Sequence, residues 1–239
     1  MKLNVMTYNI QHGHVHQSNP GRIDLTAVGD VIREASPDLV GLNEVRGRGE
    51  HPDYTAQAET LAAYLGYHAY FGRSIYVGGN NPYGNAVLSK FPLRETKVYH
   101  IPDPVNGTDA GRFEHRSITR AAAEVEDGSL FALYTTHFGL SEAEQEHAVS
   151  TLCTLLADEP LPFVLMGDFN VQPDNPVLRP LDWLTCADEL LGGAKSFPSH
   201  DPSVKIDYLY ASPKVRFTKA EILPAVASDH CPILAEIVF

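Results

Sequence analysis

Two strand-like runs, residues 117–126 and 129–138, are joined by Asp127-Gly128. Asp-Gly between two such runs is a hairpin signal, because the tight turn needs residues that tolerate positive φ. This dipeptide rules out an all-parallel sheet. Elsewhere, short apolar strands alternate with helical patterns, which calls for parallel crossovers. A chain obeying both constraints is a mixed α/β protein with helices outside packed sheets.

Buried strands are expected at residues 3–10 and 38–43, with others at 67–71, 85–89, 163–167, 206–211, 215–222 and 233–238. Leu25, Val28, Val31 and Ile32 recur at helical spacing over residues 24–35, and Ser36-Pro37 ends that helix. A second helix spans 57–65 and stops at Gly66. A third opens at Ser141 and runs to 157, with Glu144 placed for a capping box. Residues 102–111 read as a surface loop. No low-complexity linker interrupts the chain, so residues 1–239 are expected to form a single catalytic domain.

The hydrophobic fraction is 44% and the charged fraction 20%, a globular composition. No apolar run reaches the roughly 18 residues of a membrane span. The N-terminus enters a strand pattern at once and lacks a signal-peptide core, so a cytoplasmic location is expected. Cys153, Cys186 and Cys231 are odd in number and show no metal spacing, which fits reduced thiols. The net charge of −12 argues against tight binding of nucleic acid, whose phosphates want a basic footprint. Arg112, Arg116 and Arg120 are the longest basic cluster, and it is sparse.

Polar residues collect where the predicted strands end. Asn9, Glu44, His137, Asp168 and Asn170 each follow an apolar run; Asp207 lies within one and Asp229-His230 precede another. A polar group on a core strand costs about 1–3 kcal/mol unless satisfied, so a whole set at strand ends points to a ligand site. In Met166-Gly167-Asp168-Phe169-Asn170, side-chain alternation places Asp168 and Asn170 on one face if the strand continues. A carboxylate that takes a proton or a metal, beside an amide that donates to an oxyanion, suits phosphate-ester hydrolysis.

Thr7-Tyr8-Asn9-Ile10, Asn43-Glu44-Val45, Tyr83-Gly84-Asn85-Ala86-Val87-Leu88-Ser89, Thr136-His137-Phe138, Gly167-Asp168-Phe169-Asn170, Ile206-Asp207-Tyr208 and Ser228-Asp229-His230 form an ordered series. The series resembles the motifs of the endonuclease/exonuclease/phosphatase superfamily. That superfamily includes pancreatic deoxyribonuclease, apurinic endonucleases, neutral sphingomyelinases and inositol-polyphosphate 5-phosphatases. The resemblance implies a four-layer α/β sandwich, with two mixed β-sheets face to face and helices on the outer faces.

It also implies roles. Glu44, with Asn9 beside it and Asp229 as a further carboxylate, would hold a divalent cation, and oxygen ligation suits Mg²⁺ or Mn²⁺. Asp168 would orient or deprotonate the attacking water, and Asn170 would bind a phosphate oxygen. Asp207 would fix and charge His230; His137 would be a second active-site histidine, a phosphate ligand or general acid. Arg116, ahead of Arg120, matches a phosphate contact. Where many members carry Gln-Glu, this chain has Asn43-Glu44, so a hydrogen bond behind the metal carboxylate is expected to differ. His12, His14 and His16 read as a solvated loop or as residues flanking the cleft. Trp183 and the tyrosines 64, 67 and 70 read as packing residues.

The expected activity is that of a Mg²⁺-dependent phosphoric ester hydrolase acting by in-line attack of water. Acidic balance and near-minimal length favour a small phosphoester or lipid head group as substrate. Two rivals stand beside it. One is a nuclease of the apurinic endonuclease type, which Ser228-Asp229-His230-Cys231-Pro232 resembles. The other is a non-catalytic binding module of the same fold, whose mark would be a lost carboxylate or histidine dyad. Neither is lost here. No protein partner is evident from the sequence.

Overall fold

The computed structural model describes residues 1–14, 22–104 and 114–239. His16 and Arg112 therefore lie outside the described residues. In chain order the elements are β1 (Lys2–Asn9), α1 (Leu25–Ala35), β2 (Leu39–Arg46), α2 (Gln57–Leu65), β3 (His68–Val77), β4 (Asn81–Ser89) and β5 (Leu93–His100). They continue with β6 (Ser117–Glu124), β7 (Leu130–His137), α3 (Glu142–Ala157), β8 (Phe163–Asp168), β9 (Thr185–Cys186), α4 (Asp188–Leu191), β10 (Asp207–Ala211), β11 (Arg216–Ile222) and β12 (Ile233–Val238).

Two six-stranded sheets result, ordered β11-β12-β1-β2-β4-β3 and β5-β6-β7-β8-β10-β9. Each contains one parallel ladder, β1 with β2 and β7 with β8, among antiparallel neighbours. α1 makes the crossover of the first parallel pair and α3 that of the second. A parallel pair ends both its strands at the same sheet edge, the place where α/β proteins gather ligands. Asn9, Glu44, His137 and Asp168 lie at or near the C-terminal ends of these four strands.

The layers follow from where apolar side chains go. Leu3, Val5 and Leu39 of one sheet meet Leu133, Val164 and Met166 of the other in a core between the sheets. Met6, Tyr8 and Val40 face outward onto Val28 and Ile32 of α1 and Leu61 of α2. Tyr134 and Leu165 face Leu152 and Leu156 of α3 on the opposite side. Both faces of the central strands are covered, which is why they read as continuous apolar runs rather than as alternation. The result is the expected four-layer sandwich.

Local sequence sets the helix ends. Asp24 caps α1 by accepting from the amides of Thr26 and Ala27, and Ser36 ends it in the left-handed region before Pro37. The capping box between Ser141 and Glu144 is present at the start of α3. Gly167 has φ +147°, and a Cβ there would stand 1.8 Å from the Thr136 carbonyl oxygen. Only glycine lets β8 lie this close to β7 at the strand end that carries Asp168.

The structure lengthens the expected strands at 38–43, 67–71 and 85–89 and adds two, β5 and the two-residue β9. The strand expected at 67–71 is β3, which starts at His68, continues to Val77 and turns back into β4 at Gly78-Gly79. β5 escaped the sequence reading because Arg94, Glu95, Thr96 and Lys97 are all exposed. It is an edge strand, where charge discourages pairing with a foreign strand. Among the described residues, no helix is long and apolar enough to cross a membrane.

Candidate active site

Asn9 is the junction of the two sheets. Its fully buried amide nitrogen donates to Glu44 Oε1 at 3.1 Å and to Asp168 Oδ2 at 3.0 Å. Its carbonyl oxygen accepts from the Ser228 hydroxyl at 2.8 Å, and the same hydroxyl lies 3.2 Å from Asp229 Oδ1. Three carboxylates from distant parts of the chain are thus tied to one asparagine. Glu44 takes a left-handed φ of 59°, a conformation that costs a non-glycine residue about 1–2 kcal/mol and fixes the direction of its side chain. The phenol of Tyr83 donates to Glu44 Oε2 at 2.8 Å. Burial, followed by the Glu44 charge, drives the Tyr83 pKa well above the ordinary phenol value, so the phenol stays a donor.

Asp168 and Asn170 converge, but by a turn rather than by strand alternation. β8 ends at Asp168, whose Oδ1 accepts the Asn170 backbone amide at 2.9 Å, and Asn170 takes φ 51°. This Asx turn swings the Asn170 amide toward His137. Asn170 Nδ2 donates to His137 Nε2 at 3.1 Å and to the Phe138 carbonyl at 3.1 Å, so both its amide hydrogens are committed in this structure. Asp168 is buried, and that burial, with the charge of Asp207 nearby, raises its pKa.

The two histidines are tuned in opposite directions. His230 Nδ1 lies 2.9 Å from Asp207 Oδ2, which also accepts from Ser196 Oγ at 2.6 Å. Burial alone would discharge His230, but the charge and hydrogen bond of Asp207, aided by Asp168 and Asp229, push its pKa up to about 10. Its Nε2 faces Asp168 Oδ2 at 3.5 Å. His137 lies 3.6 Å from the same oxygen, yet burial and the charges of Arg116 and His230 hold its pKa well below the usual imidazole value. A charged and a neutral imidazole therefore flank one buried carboxylate.

The geometry separates the two arginines. Arg116 ion-pairs with Glu114 at 3.1 Å, and its charge is felt at both His137 and Tyr83. Its buried Nε has no hydrogen-bond partner among the described residues. Arg120 is engaged elsewhere, with Glu159 at 2.7 Å and the Tyr134 hydroxyl at 3.2 Å. His12 sits in the 3-10 turn Gln11–Gly13, its ring 6.3 Å from that of Tyr83 and 6.0 Å from that of His14.

The donor set suits a hard divalent cation. Glu44, Asp168, Asp207 and Asp229 outnumber the positive charges of His230 and Arg116, and Asp207 Oδ1 is buried without a hydrogen-bond partner among the described residues. Oxygen atoms dominate the cluster, a donor set that suits a hard cation. Ligand atoms of Asp168, Asp207 and His230 lie within 4.8 Å of one another. With His230 protonated, that trio can offer only carboxylate oxygens to a metal.

The sequence profile of the Endonuclease/Exonuclease/phosphatase family matches residues 6–230. The chain belongs to this family. Its members are phosphoester hydrolases, generally dependent on a divalent metal. A structure from Beutenbergia cavernae described as endonuclease/exonuclease/phosphatase aligns at TM-score 0.82 and 24% identity, over 99% of this chain and 71% of its own. The mannosyl-6-phosphatase Bt3783 of Bacteroides thetaiotaomicron aligns at TM-score 0.78 and 18% identity, over 99% of this chain and all of its own. The catalytic domain of human nocturnin, with bound sulfate, aligns at TM-score 0.71 and 20% identity, over 100% of this chain and 94% of its own. At these identities the likeness is one of fold. No curated protein matches the chain by sequence.

Within the family pattern, Asn43 is the local departure, and the structure shows what it does. Its amide donates to Asn85 Oδ1 at 2.9 Å and to the Thr136 carbonyl at 2.8 Å, and its Oδ1 accepts the Asp168 amide at 3.0 Å. Asn43 therefore stitches the ends of β2, β7 and β8 together behind the site. The sequence reading missed Ser196 and Tyr83. Tyr83 opens the run Tyr83-Gly84-Asn85-Ala86-Val87-Leu88-Ser89, whereas Ser196 carries no signal beyond its proximity in sequence to Asp207.

Proposed function

We propose that the chain is a divalent-metal-dependent phosphoesterase that hydrolyses a small phosphomonoester or phosphodiester by in-line attack of water. The observation carrying this reading is the bridge from the Asn9 amide to both Glu44 and Asp168, which joins the candidate metal carboxylate to the candidate base. Glu44, Asn9 and Asp229 would hold Mg²⁺ or Mn²⁺, which when bound polarises a phosphoryl oxygen. The raised pKa of Asp168 suits a carboxylate that orients water and takes its proton. His230, charged by Asp207, stabilises the negative phosphoryl group as it reacts. His137, held neutral, is better suited to ligating phosphate than to delivering a proton. Arg116, whose charge is felt at His137, adds positive charge to the site. Asn170 turns an amide hydrogen from His137 to a phosphate oxygen, so substrate binding reorients this pair.

A cavity of about 770 Å³ opens beside Asn170. Glu142, Gln172, Asp174 and Asn175 line it, and no described lining residue is lysine or arginine. Such a lining repels a polyanionic chain and accepts a small leaving group, which favours a small phosphoester over nucleic acid. The neighbouring mannosyl-6-phosphatase supports a sugar phosphate as one such class. The test is a panel of aryl phosphodiester, sugar phosphates, glycerophosphodiesters, abasic oligonucleotide and plasmid, assayed with Mg²⁺. Asp168→Asn and His230→Ala should each lower kcat by about 10²–10⁴-fold while the far-ultraviolet spectrum stays unchanged. Near wild-type turnover in either variant would refute the assignment, and activity confined to the oligonucleotide would establish the nuclease reading.

A further inference from the structure

We infer that Tyr83 is a metal-positioning residue: by occupying one oxygen of Glu44, it makes this carboxylate a one-oxygen ligand and biases the centre toward Mg²⁺ over Ca²⁺. The inference rests on Glu44 being the metal carboxylate. Tyr83 donates to Glu44 Oε2 at 2.8 Å, while Asn9 donates to Oε1 at 3.1 Å. Asn9 also serves Asp168, so its amide is shared between two carboxylates. Among the described residues, the Tyr83 phenol makes one side-chain hydrogen bond, to Oε2.

The backbone is built to hold this contact. Leu42 pairs with Ala86 and Val45 with Gly84, so Asn43 and Glu44 together stand opposite Asn85 alone. This bulge redirects Glu44, as bulges do beside active sites. Each residue of Tyr83-Gly84-Asn85 serves it. Asn85 Oδ1 accepts the Asn43 amide at 2.9 Å, anchoring the other bulged residue. At Gly84 a Cβ would lie 2.1 Å from the Gly72 carbonyl oxygen, so glycine admits β3 at close range. A second register shift, between Arg73 and Ile75, leaves Tyr83 opposite Ile75 at this point of the β3–β4 ladder. The His12 ring stands edge-on to Tyr83, 6.3 Å away, on the loop after β1.

The chemical consequence concerns ligand number. Ca²⁺ takes about 6–8 oxygens and readily accepts both oxygens of a carboxylate, whereas Mg²⁺ demands a compact octahedron and takes one oxygen per carboxylate. A phenol donor fixed on Oε2 opposes two-oxygen ligation and leaves one-oxygen ligation intact. Groups that orient a ligand in this way typically govern about 10–100-fold in metal affinity.

The experiment is calorimetric titration of Mg²⁺, Mn²⁺ and Ca²⁺ into chelator-treated wild-type protein, Tyr83→Phe and Glu44→Gln, with no substrate present. Wild type should bind Mg²⁺ more tightly than Ca²⁺. Tyr83→Phe should weaken Mg²⁺ binding at least about 10-fold and Ca²⁺ binding much less, so that the preference narrows. Equal weakening of both ions, or an unchanged Mg²⁺ affinity, would overturn the inference while leaving Glu44 as ligand. Glu44→Gln binding Mg²⁺ as tightly as wild type would instead overturn the assignment of Glu44 itself. Should Tyr83→Phe fail to fold, the wild-type preference decides alone: Ca²⁺ bound as tightly as Mg²⁺ refutes the role of Tyr83.

Discussion

Replacing Asp207 by Asn tests the electrostatics of the site most directly. Asp207 is buried, accepts from Ser196 Oγ at 2.6 Å and faces His230 Nδ1 at 2.9 Å, and it is the foremost influence raising the His230 pKa. The rise from 6.5 to about 10 corresponds to roughly 5 kcal/mol in favour of the imidazolium, at about 1.36 kcal/mol per pH unit. Removing the Asp207 charge leaves burial as the main influence, so His230 should titrate near or below its ordinary 6.5. A histidine raised on folding gives stability that is complete below its unfolded pKa and is lost as pH climbs through its folded pKa. Asp168, also raised on folding, varies only below about pH 7. Metal-free wild type should therefore lose roughly 2 kcal/mol of unfolding free energy between about pH 7.5 and 9, and Asp207→Asn should lose little. Urea unfolding in chelator at several pH values measures this loss, and imidazole NMR follows His230 itself. An Asp207→Asn protein whose His230 still titrates near 10, or whose stability falls with the wild-type slope, would refute the reasoning.

The arginines give a paired prediction. Arg116→Ala should raise KM or lower kcat for phosphoesters with a small change in Tm. Arg120→Ala leaves Glu159, whose side chain is only 3% exposed, with just the Tyr134 phenol and the Leu161 amide as donors, and should cost about 1–3 kcal/mol of stability while kcat of the folded fraction is unchanged. Steady-state kinetics with denaturant melts distinguish these outcomes; a kinetic defect in Arg120→Ala would reverse the assignment. Glu159, held below its ordinary pKa chiefly by the Arg120 and Tyr134 hydrogen bonds against the effect of burial, adds a pH signature. That stability is present above the unfolded value of 4.5 and is lost as pH falls through the lower folded value, so acid melts of Glu159→Gln should start later relative to neutral pH.

Much of the site was legible because its chemistry is carried by side chains that have no business at the ends of apolar strands. Asn9, Glu44, His137, Asp168, Asp207 and His230 could be picked out one by one, and their order supplied the family. The same logic found the strands themselves, since apolar runs covered on both faces leave a strong signal. Edge strand β5 left none, because its outward charges are what an edge requires. Backbone direction was the second blind spot. Alternation along an extended strand predicted that Asp168 and Asn170 share a face, and they do meet at His137, but through an Asx turn with a left-handed Asn170.

The parallel pairs explain why so many separate motifs meet at one place. β1 and β2 end together in one sheet, β7 and β8 end together in the other, and the sheets pack with those ends on the same side. Residues 159 positions apart then face each other across the inter-sheet gap, within reach of a single amide. Side chains on such strand ends are held by ladders on both sides, so little freedom remains to be lost when a ligand binds. The loops add what the strands cannot: the Asx turn at Asn170 and the serine that links Asp229 to Asn9. Variation among relatives of this fold is therefore expected in the cavity beside Asn170, whose walls are loop and helix-start residues, rather than in the bridge at Asn9. Exchanging Gln172 and Asp174 should change which phosphoester is preferred, whereas Asn9→Ala should lower turnover on every substrate alike, because it uncouples Glu44 from Asp168.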